Sequence, residues 1–329
     1  MKGFIKRCAA LFLFLAALVG PHAAFAQEWP SHQVKIVLPY PPGGASDTTA
    51  RLLAEKLTKE WGQPVVIDNR PGANGIIANE LVASATPDGH TILMANLGPN
   101  AINHAVYSSL RYDSIKDFDP VILTTLVPQV ILVKSDSDLK TLQDLVDLAK
   151  SKPDEVTFGS AGIGASNHLS GEMLSSMAGI KMRHVPYKGD SPSITDTIGG
   201  QIVVVLPTVV AGIPHINGGK LKALAVTSSK RVASLPDVPS VNEALGLDSF
   251  EAVSWGGFLV PAGTPPAVTE KINAGINKAL QMPDIQTKLN ELGASIVGGT
   301  PEEMRTFLLA ENVKWKKVAD EANIRLQQK

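Results

Sequence analysis

The sequence predicts an α/β protein folded as two lobes joined by crossing strands. Three observations lead there. Short β-branched runs alternate with longer helical patterns, which places helices around mainly parallel strands. That alternation starts twice along the chain. Beyond an N-terminal leader about 300 residues remain, more than one hydrophobic core usually serves.

The leader is read from residues 1–26. Lys2, Lys6 and Arg7 precede an apolar run from Cys8 to Val19, Pro21 breaks it, and Ala24-Phe25-Ala26 offers small residues to a signal peptidase. This layout predicts a secretory signal peptide cleaved after Ala26. The run is shorter than the roughly 20 residues a membrane span needs, so an uncleaved anchor is the weaker reading. Cleavage removes the single cysteine of the chain, and with it any disulfide or thiolate metal site. The whole sequence holds 30 basic and 31 acidic side chains, and the leader takes three of the basic ones. Nothing basic therefore argues for nucleic acid, and no later segment is long and apolar enough to cross a bilayer.

The elements follow in order. Val34–Leu38 reads as a strand stopped by Pro39, and a helix follows from about Thr48 with Leu52, Leu53 and Leu57 on one face. Residues 64–68 and 91–95 read as strands, with a helix over 75–85 between them. The pattern then restarts: strands over 129–133 and 156–160, helices over 141–150 and from Ser166 to Gly179, further strands over 202–206, 221–226 and 253–260. Three closing helices each begin at a proline, Pro266, Pro283 and Pro301, as helix entries favour. Crossings near 125–130 and 248–256 would return the tail to the first lobe. The expected lobes are 27–127 plus 252–329, and 128–251, the layout of a hinged binder.

Two segments have the construction of an anion site. Tyr40-Pro41-Pro42-Gly43-Gly44-Ala45-Ser46-Asp47 links a strand end to a helix start, where free N–H groups and the helix dipole favour an anion. Glycine lets backbone approach a ligand without a side chain in between. Ser46 and Asp47 both suit the N-cap, so a tight, well-capped turn explains the same residues. Gly159-Ser160-Ala161-Gly162-Ile163-Gly164-Ala165-Ser166 repeats the construction, with Ser166 as the expected cap. Neither spacing matches a dinucleotide fingerprint or a P-loop. Asn74, in a third strand-to-helix connection, is a candidate polar contact, and Lys188 in Tyr187-Lys188-Gly189 a candidate cation.

Catalytic constellations are harder to find. The histidines beyond the leader are His32, His90, His104, His168, His184 and His215, none paired at the spacing of a zinc motif. His168 follows Ser166 by two residues, but no Gly-x-Ser-x-Gly elbow surrounds either, and positions so close on a helix do not face each other. A structural histidine is the expectation for His168. No enzyme activity, cofactor or metal is expected.

The chain resembles the substrate-binding proteins of tripartite tricarboxylate transporters, the TctC or Bug family. The matching stretches are Pro41 to Asp47, Asn69-Arg70-Pro71-Gly72-Ala73, Tyr112-Asp113 with Lys116-Asp117-Phe118, and Gly159 to Gly162 with Ser166 and His168. They continue through His184-Val185-Pro186-Tyr187-Lys188-Gly189, residues 219–226, Leu235 to Pro239, Pro261 to Pro265 and Gly298 to Glu303. The resemblance implies a type II periplasmic binding fold, two Rossmann-like lobes closing on a small organic anion. In this family the loop matching Pro42 to Asp47 reaches a ligand carboxylate, and the loop matching Ser160 to Ser166 grips the other end. It implies a monomeric periplasmic receptor that hands di- or tricarboxylates, aromatic carboxylates or acidic amino acids to a two-subunit membrane permease. The expected contacts are Tyr40, Pro42, Gly43, Gly44, Ala45, Ser46, Asp47, Asn74, Leu97, Ser160, Ala161, Gly162, Ser166, His168, Tyr187, Lys188, Gly189, Pro207 and Thr208.

Three departures from the family pattern bear on the ligand. Pro207, followed by Thr208, stands where an aspartate is frequent, which weakens an amino-acid ligand. Gly256 follows Trp255 where a bulkier aromatic is common, leaving more room. Asn96-Leu97-Gly98-Pro99-Asn100 replaces a serine- and threonine-rich run. Together they favour a larger or less polar carboxylate. A periplasmic input to a sensor kinase and a secreted serine hydrolase are the alternative functions.

Overall fold

The computed structural model describes residues 29–326. The expected leader, residues 1–26, lies outside the described residues. Strand β1 (Val34–Leu38) is buried at all positions except Lys35. An apolar run of that kind suits a strand covered on both faces. It lies between parallel neighbours β2 (Val65–Asn69) and β3 (Thr91–Asn96), with Ile36 opposite Ile67 on one side and Ile92 on the other. Helix α1 (Ala45–Trp61) connects β1 to β2, and α2 (Ile76–Ala83) connects β2 to β3.

Helix α1 starts at Ala45, earlier than the expected Thr48, with Gly44 as its N-cap. Ser46 and Asp47 therefore sit inside the first turn, and neither is the cap. Asp47, the third helical residue, reaches its carboxylate back past the cap to the Gly43 N–H at 2.9 Å. A helical stretch over 98–106 follows β3 and leads to β4 (Phe118–Pro128). Sequence reading placed no strand over 118–128, only a crossing near 125–130 at its end.

The chain then enters the second sheet. Its elements are β5 (Val130–Lys134), α3 (Leu142–Ser151), β6 (Thr157–Ser160), α4 (Ser166–Ala178), β7 (Arg183–Pro186), α5 (Asp190–Gly199), β8 (Val204–Val205), α6 (Val209–Asn217) and β9 (Leu221–Val226). A capping box between Thr141 and Asp144 starts α3. Helix α4 begins at the expected Ser166, but its N-cap is Ala165 and no side chain caps it. Sequence reading missed β7, whose four residues show no clean alternation of burial, and α6, which carries Pro214 in its interior. The sheet order is β7-β6-β8-β5-β9.

The return passes through buried Phe250 and Ala252 into β10 (Val253–Pro261). This strand inserts between β3 and β4, antiparallel to both. Helices α7 (Pro266–Leu280) and α8 (Pro283–Glu291), strand β11 (Ser295–Ile296) and helix α9 (Pro301–Glu321) complete the first sheet, ordered β11-β4-β10-β3-β1-β2. Helices α7 and α1 pack closely, since a Cβ at Gly275 would lie 2.7 Å from the Trp61 ring nitrogen. Leu53, Leu57, Ile272 and Ile276 form the core between these helices and one sheet face. The chain thus changes sheet at Gln129, outbound from β4 to β5, and again between β9 and β10.

Candidate ligand-binding cleft

A cavity of about 420 Å³ opens between the two sheets. From the first βα loop and its neighbours it is lined by Tyr40, Ala45, Ser46, Asn74 and Leu97. From the other side come Ala161, Gly162, Ser166 and Thr208. All of these were expected contacts. Among the described residues, none that lines the cavity is Asp, Glu, Lys, Arg or His.

The first loop is held from beneath. Asp47, 3% exposed, accepts from Gly43 N–H, from Arg51 Nε at 2.9 Å and from Asn69 Nδ2 at 3.0 Å. The Arg51 guanidinium, with help from Gly43 and Asn69, holds its carboxyl down at about 2 against the cost of burial. Asp47 is therefore a strut for the loop and does not line the cavity, nor do Pro42, Gly43 and Gly44. The first-turn N–H groups of α1 have no intrahelical acceptor, and the turn opens into the cleft at Ala45 and Ser46. Tyr40 lines the cavity with its phenol pushed up to about 12 by burial. A Cβ at Gly98 would approach that hydroxyl to 3.3 Å.

The second loop is tied more heavily to its own scaffold. Ala161 N–H donates to Asn167 Oδ1 at 3.0 Å, Gly162 N–H to Ser160 Oγ at 3.1 Å, and Gly164 N–H to His168 Nδ1 at 3.1 Å. Ala165 N–H donates to the Gly162 carbonyl. Four backbone donors are spent internally, which leaves the N–H of Ile163 and the first turn of α4 for a ligand. Ser160 is fully buried, with Oγ 2.5 Å from His184 Nε2. His168 and His184 stack with centroids 3.7 Å apart, and His168 Nε2 lies 3.6 Å from Glu172 Oε1. Burial, and then the neighbouring His168, push His184 down to about 3. Ser160 and His168 thus stand behind the loop as its support. Neither Ser160 nor Ser166 is hydrogen-bonded to His168; the serine that meets an imidazole is Ser160, buried against His184.

The remaining expected contacts lie beside the cleft. Tyr187 donates its hydroxyl to Asp196 at 2.7 Å, Gly189 N–H donates to the Ala161 carbonyl, and Lys188 is exposed. Pro207 is buried at the outbound crossing, where its carbonyl accepts from Val130 N–H.

Several lining residues were not among the expected contacts, and six of them share one sheet face. Met94 and Asn96 on β3, Ser254 and Gly256 on β10, and Thr125 and Val127 on β4 all line the cavity. Alternate residues of a strand share a face, and Asn96 and Thr125 are both in register with Gly256, while Val127 is in register with Ser254. Only the period of two within each strand was readable. Asn96 Nδ2 donates to Ser46 Oγ at 3.1 Å and to the Trp255 carbonyl at 3.3 Å, joining the first loop to β10.

Comparison with known proteins places this geometry in a family. Residues 49–324 match the Tripartite tricarboxylate transporter family receptor. A protein encoded in the tcbD-tcbE intergenic region of Pseudomonas sp. strain P51 is 39% identical over 300 residues, covering 91% of this chain and 89% of the relative. An R. palustris protein solved with adipate is 35% identical, with a TM-score of 0.78 over 92% of this chain and 100% of that one. The periplasmic binding protein BugD is 33% identical, with a TM-score of 0.74 over 91% and 100% of the two chains. With these relatives the fold is the two-lobed periplasmic binding protein fold, and the chain belongs to the tripartite tricarboxylate transporter receptor family, the Bug proteins.

Proposed function

We propose that this receptor binds a small organic carboxylate in the cleft between its sheets and delivers it to a two-subunit membrane permease. One observation carries the reading. The N-terminal turns of α1 and α4 open into the same cavity, and among the described residues no charged side chain lines it. Backbone N–H dipoles at helix starts are then the groups able to hold an anion. The similarity to a protein solved with adipate supports a carboxylate as that anion.

In this reading Ala45 and Ser46 supply donors from one lobe, and Ile163 and Ser166 from the other. Tyr40, Asn74, Leu97, Ala161, Gly162 and Thr208 complete the wall. The lobes are 27–127 with 252–329, and 128–251, and they close about the crossings beside Gln129 and Ala252. Asp47, Ser160, His168 and Tyr187 act by fixing the loops. The protein is a monomer that carries its ligand unchanged.

A thermal-shift screen over organic acids and neutral sugars tests the carboxylate. Ligand that binds only the folded state raises Tm by mass action. A rise with carboxylates and none with sugars is expected; the reverse pattern would sink the reading. Co-purification of the loaded receptor with a two-subunit permease tests delivery.

A further inference from the structure

Glu311 of α9 is a carboxylate only 4% exposed, and it stands behind the wall of the cleft. Ser254 and Gly256 lie on the cavity face of β10, so Trp255 between them sends its side chain to the other face of the sheet. There the indole joins Leu308 and Trp315 of α9 in one apolar cluster and meets Phe307 edge to face, with centroids 5.5 Å apart. Glu311 Oε2 accepts from Trp255 Nε1 at 2.9 Å and from Trp315 Nε1 at 2.9 Å. Its other oxygen pairs with Lys314, and Lys314 Nζ also donates to the Glu251 carbonyl, at 3.1 Å, on the return crossing.

A buried carboxylate is a costly way to hold a helix against a sheet. Two ions taken out of water recover little net stability from their attraction, and apolar side chains of similar volume often serve as well. What the carboxylate supplies, and leucine would not, is direction: a hydrogen bond to an ionised oxygen is short, strong and aimed. That direction reaches the cleft through the Trp255 backbone. The Trp255 carbonyl accepts from Asn96 Nδ2 at 3.3 Å, and the same nitrogen donates at 3.1 Å to Ser46 Oγ in the first turn of α1. Asn96, Ser46, Ser254 and Gly256 all line the cavity. A displacement of Trp255 therefore moves a wall of the cleft and one of its helix starts together.

We infer that Glu311 is a positioning residue for the ligand cleft, acting on the bound anion through Trp255 without touching it. Glu311 does not line the cavity. The inference rests on the carboxylate reading, because the affinity it governs is that for an organic acid.

Isothermal titration of adipate, succinate and benzoate against the leaderless protein and four variants tests this. Glu311→Leu removes the acceptor and should lower affinity about tenfold, within the range for residues that act through packed neighbours. Glu311→Gln keeps an oxygen for the indole and gives up only Lys314, so it should stay within about threefold of the wild type. Trp255→Phe cuts the same hydrogen bond from its other end and should also lose about tenfold. The double variant Glu311→Leu/Trp255→Phe should bind within about twofold of Trp255→Phe alone, since a residue acting through another adds nothing once that route is cut. Wild-type affinity in Glu311→Leu or Trp255→Phe, losses that add in the double variant, or a Glu311→Gln as weak as Glu311→Leu overturns the inference and leaves the carboxylate reading standing. Trp255→Phe keeps the test decisive if Glu311→Leu does not fold. If none of the three acids binds the wild type, both fail.

Discussion

Ser166 Oγ of helix α4 lies 3.3 Å from Ser254 Oγ of strand β10, so a hydroxyl pair bridges the two sheets at the wall of the cleft. On the other side of the same strand, Ser46 reaches the Trp255 carbonyl through Asn96. The starts of both helices are thus referenced to the adjacent residues Ser254 and Trp255 of β10. A bulge follows that stretch, where Thr124 stands out of register and donates its hydroxyl to the Gly256 carbonyl at 2.9 Å. Ser166→Ala removes the bridge and a cleft hydroxyl but leaves α4 uncut, because Ala165 is the N-cap. We expect carboxylate affinity to fall about threefold to tenfold, the worth of one neutral hydrogen bond, with far-UV circular dichroism unchanged. Unaltered affinity would remove Ser166 from the ligand contacts.

The backbone donors of α1 can be tested one at a time. Proline is tolerated at the first helical position, and Ala45 occupies it. Gly44 before it is extended, with φ −81° and ψ 172°, a conformation that the residue preceding proline accepts. Ala45→Pro should therefore delete a single N–H from the cleft and keep the helix. Loss of a hydrogen bond to a charged ligand is worth about 1.5–3 kcal/mol, or roughly ten- to a hundredfold in Kd. Lys188→Ala should change Kd less than about twofold, since Lys188 does not line the cavity. A larger effect from Lys188→Ala than from Ala45→Pro would move the electrostatic role to the lysine.

Asp47→Asn separates support from contact. Asp47 accepts from Gly43, Arg51 and Asn69 yet does not line the cavity. Asparagine cannot accept at every one of these sites, so the loop should loosen. Destabilisation of about 1–3 kcal/mol is expected from a buried network left partly unsatisfied, together with weaker ligand binding. Chemical denaturation read beside titration checks this; weaker binding at unchanged stability would instead put Asp47 against the ligand.

How much of this was legible depends on how local each feature is. The loops over 40–47 and 159–166 were readable because proline, glycine and serine between a strand and a helix have few conformations to choose from. The roles within them were less so. Asp47 reads as an N-cap, and only its distance to Arg51 and Asn69 identifies a third-position strut. Asn96, Thr125 and Ser254 share the cleft through antiparallel pairings between distant segments, and no local pattern encodes those registers. Gly256 was noticeable as an odd residue beside Trp255, but the crowding that a side chain there would meet comes from Met94 and Thr125 on two other strands. Strand β8 shrank to Val204–Val205 from the expected 202–206, a run whose apolar character belongs to burial and not to pairing.

The histidine stack behind the second loop sets an expectation for acid. Burial holds His184 at about 3 in the folded protein, against an unfolded value near 6.5. The sign follows from proton counting. Between those values the unfolded chain takes up a proton at this site and the folded chain does not, so stability rises with pH across the window. The contribution is complete above about 6.5 and is lost as pH falls toward about 3. Asp47 adds a second loss lower down, from its unfolded value near 3.9 to about 2, because its ionised form is the one the fold favours. His184→Gln keeps a polar partner for Ser160 and has no proton to gain. Urea midpoints measured from pH 7 to pH 4 should fall less steeply for His184→Gln than for the wild type. Parallel profiles for the two proteins would show that His184 is not the group whose protonation loosens the loop.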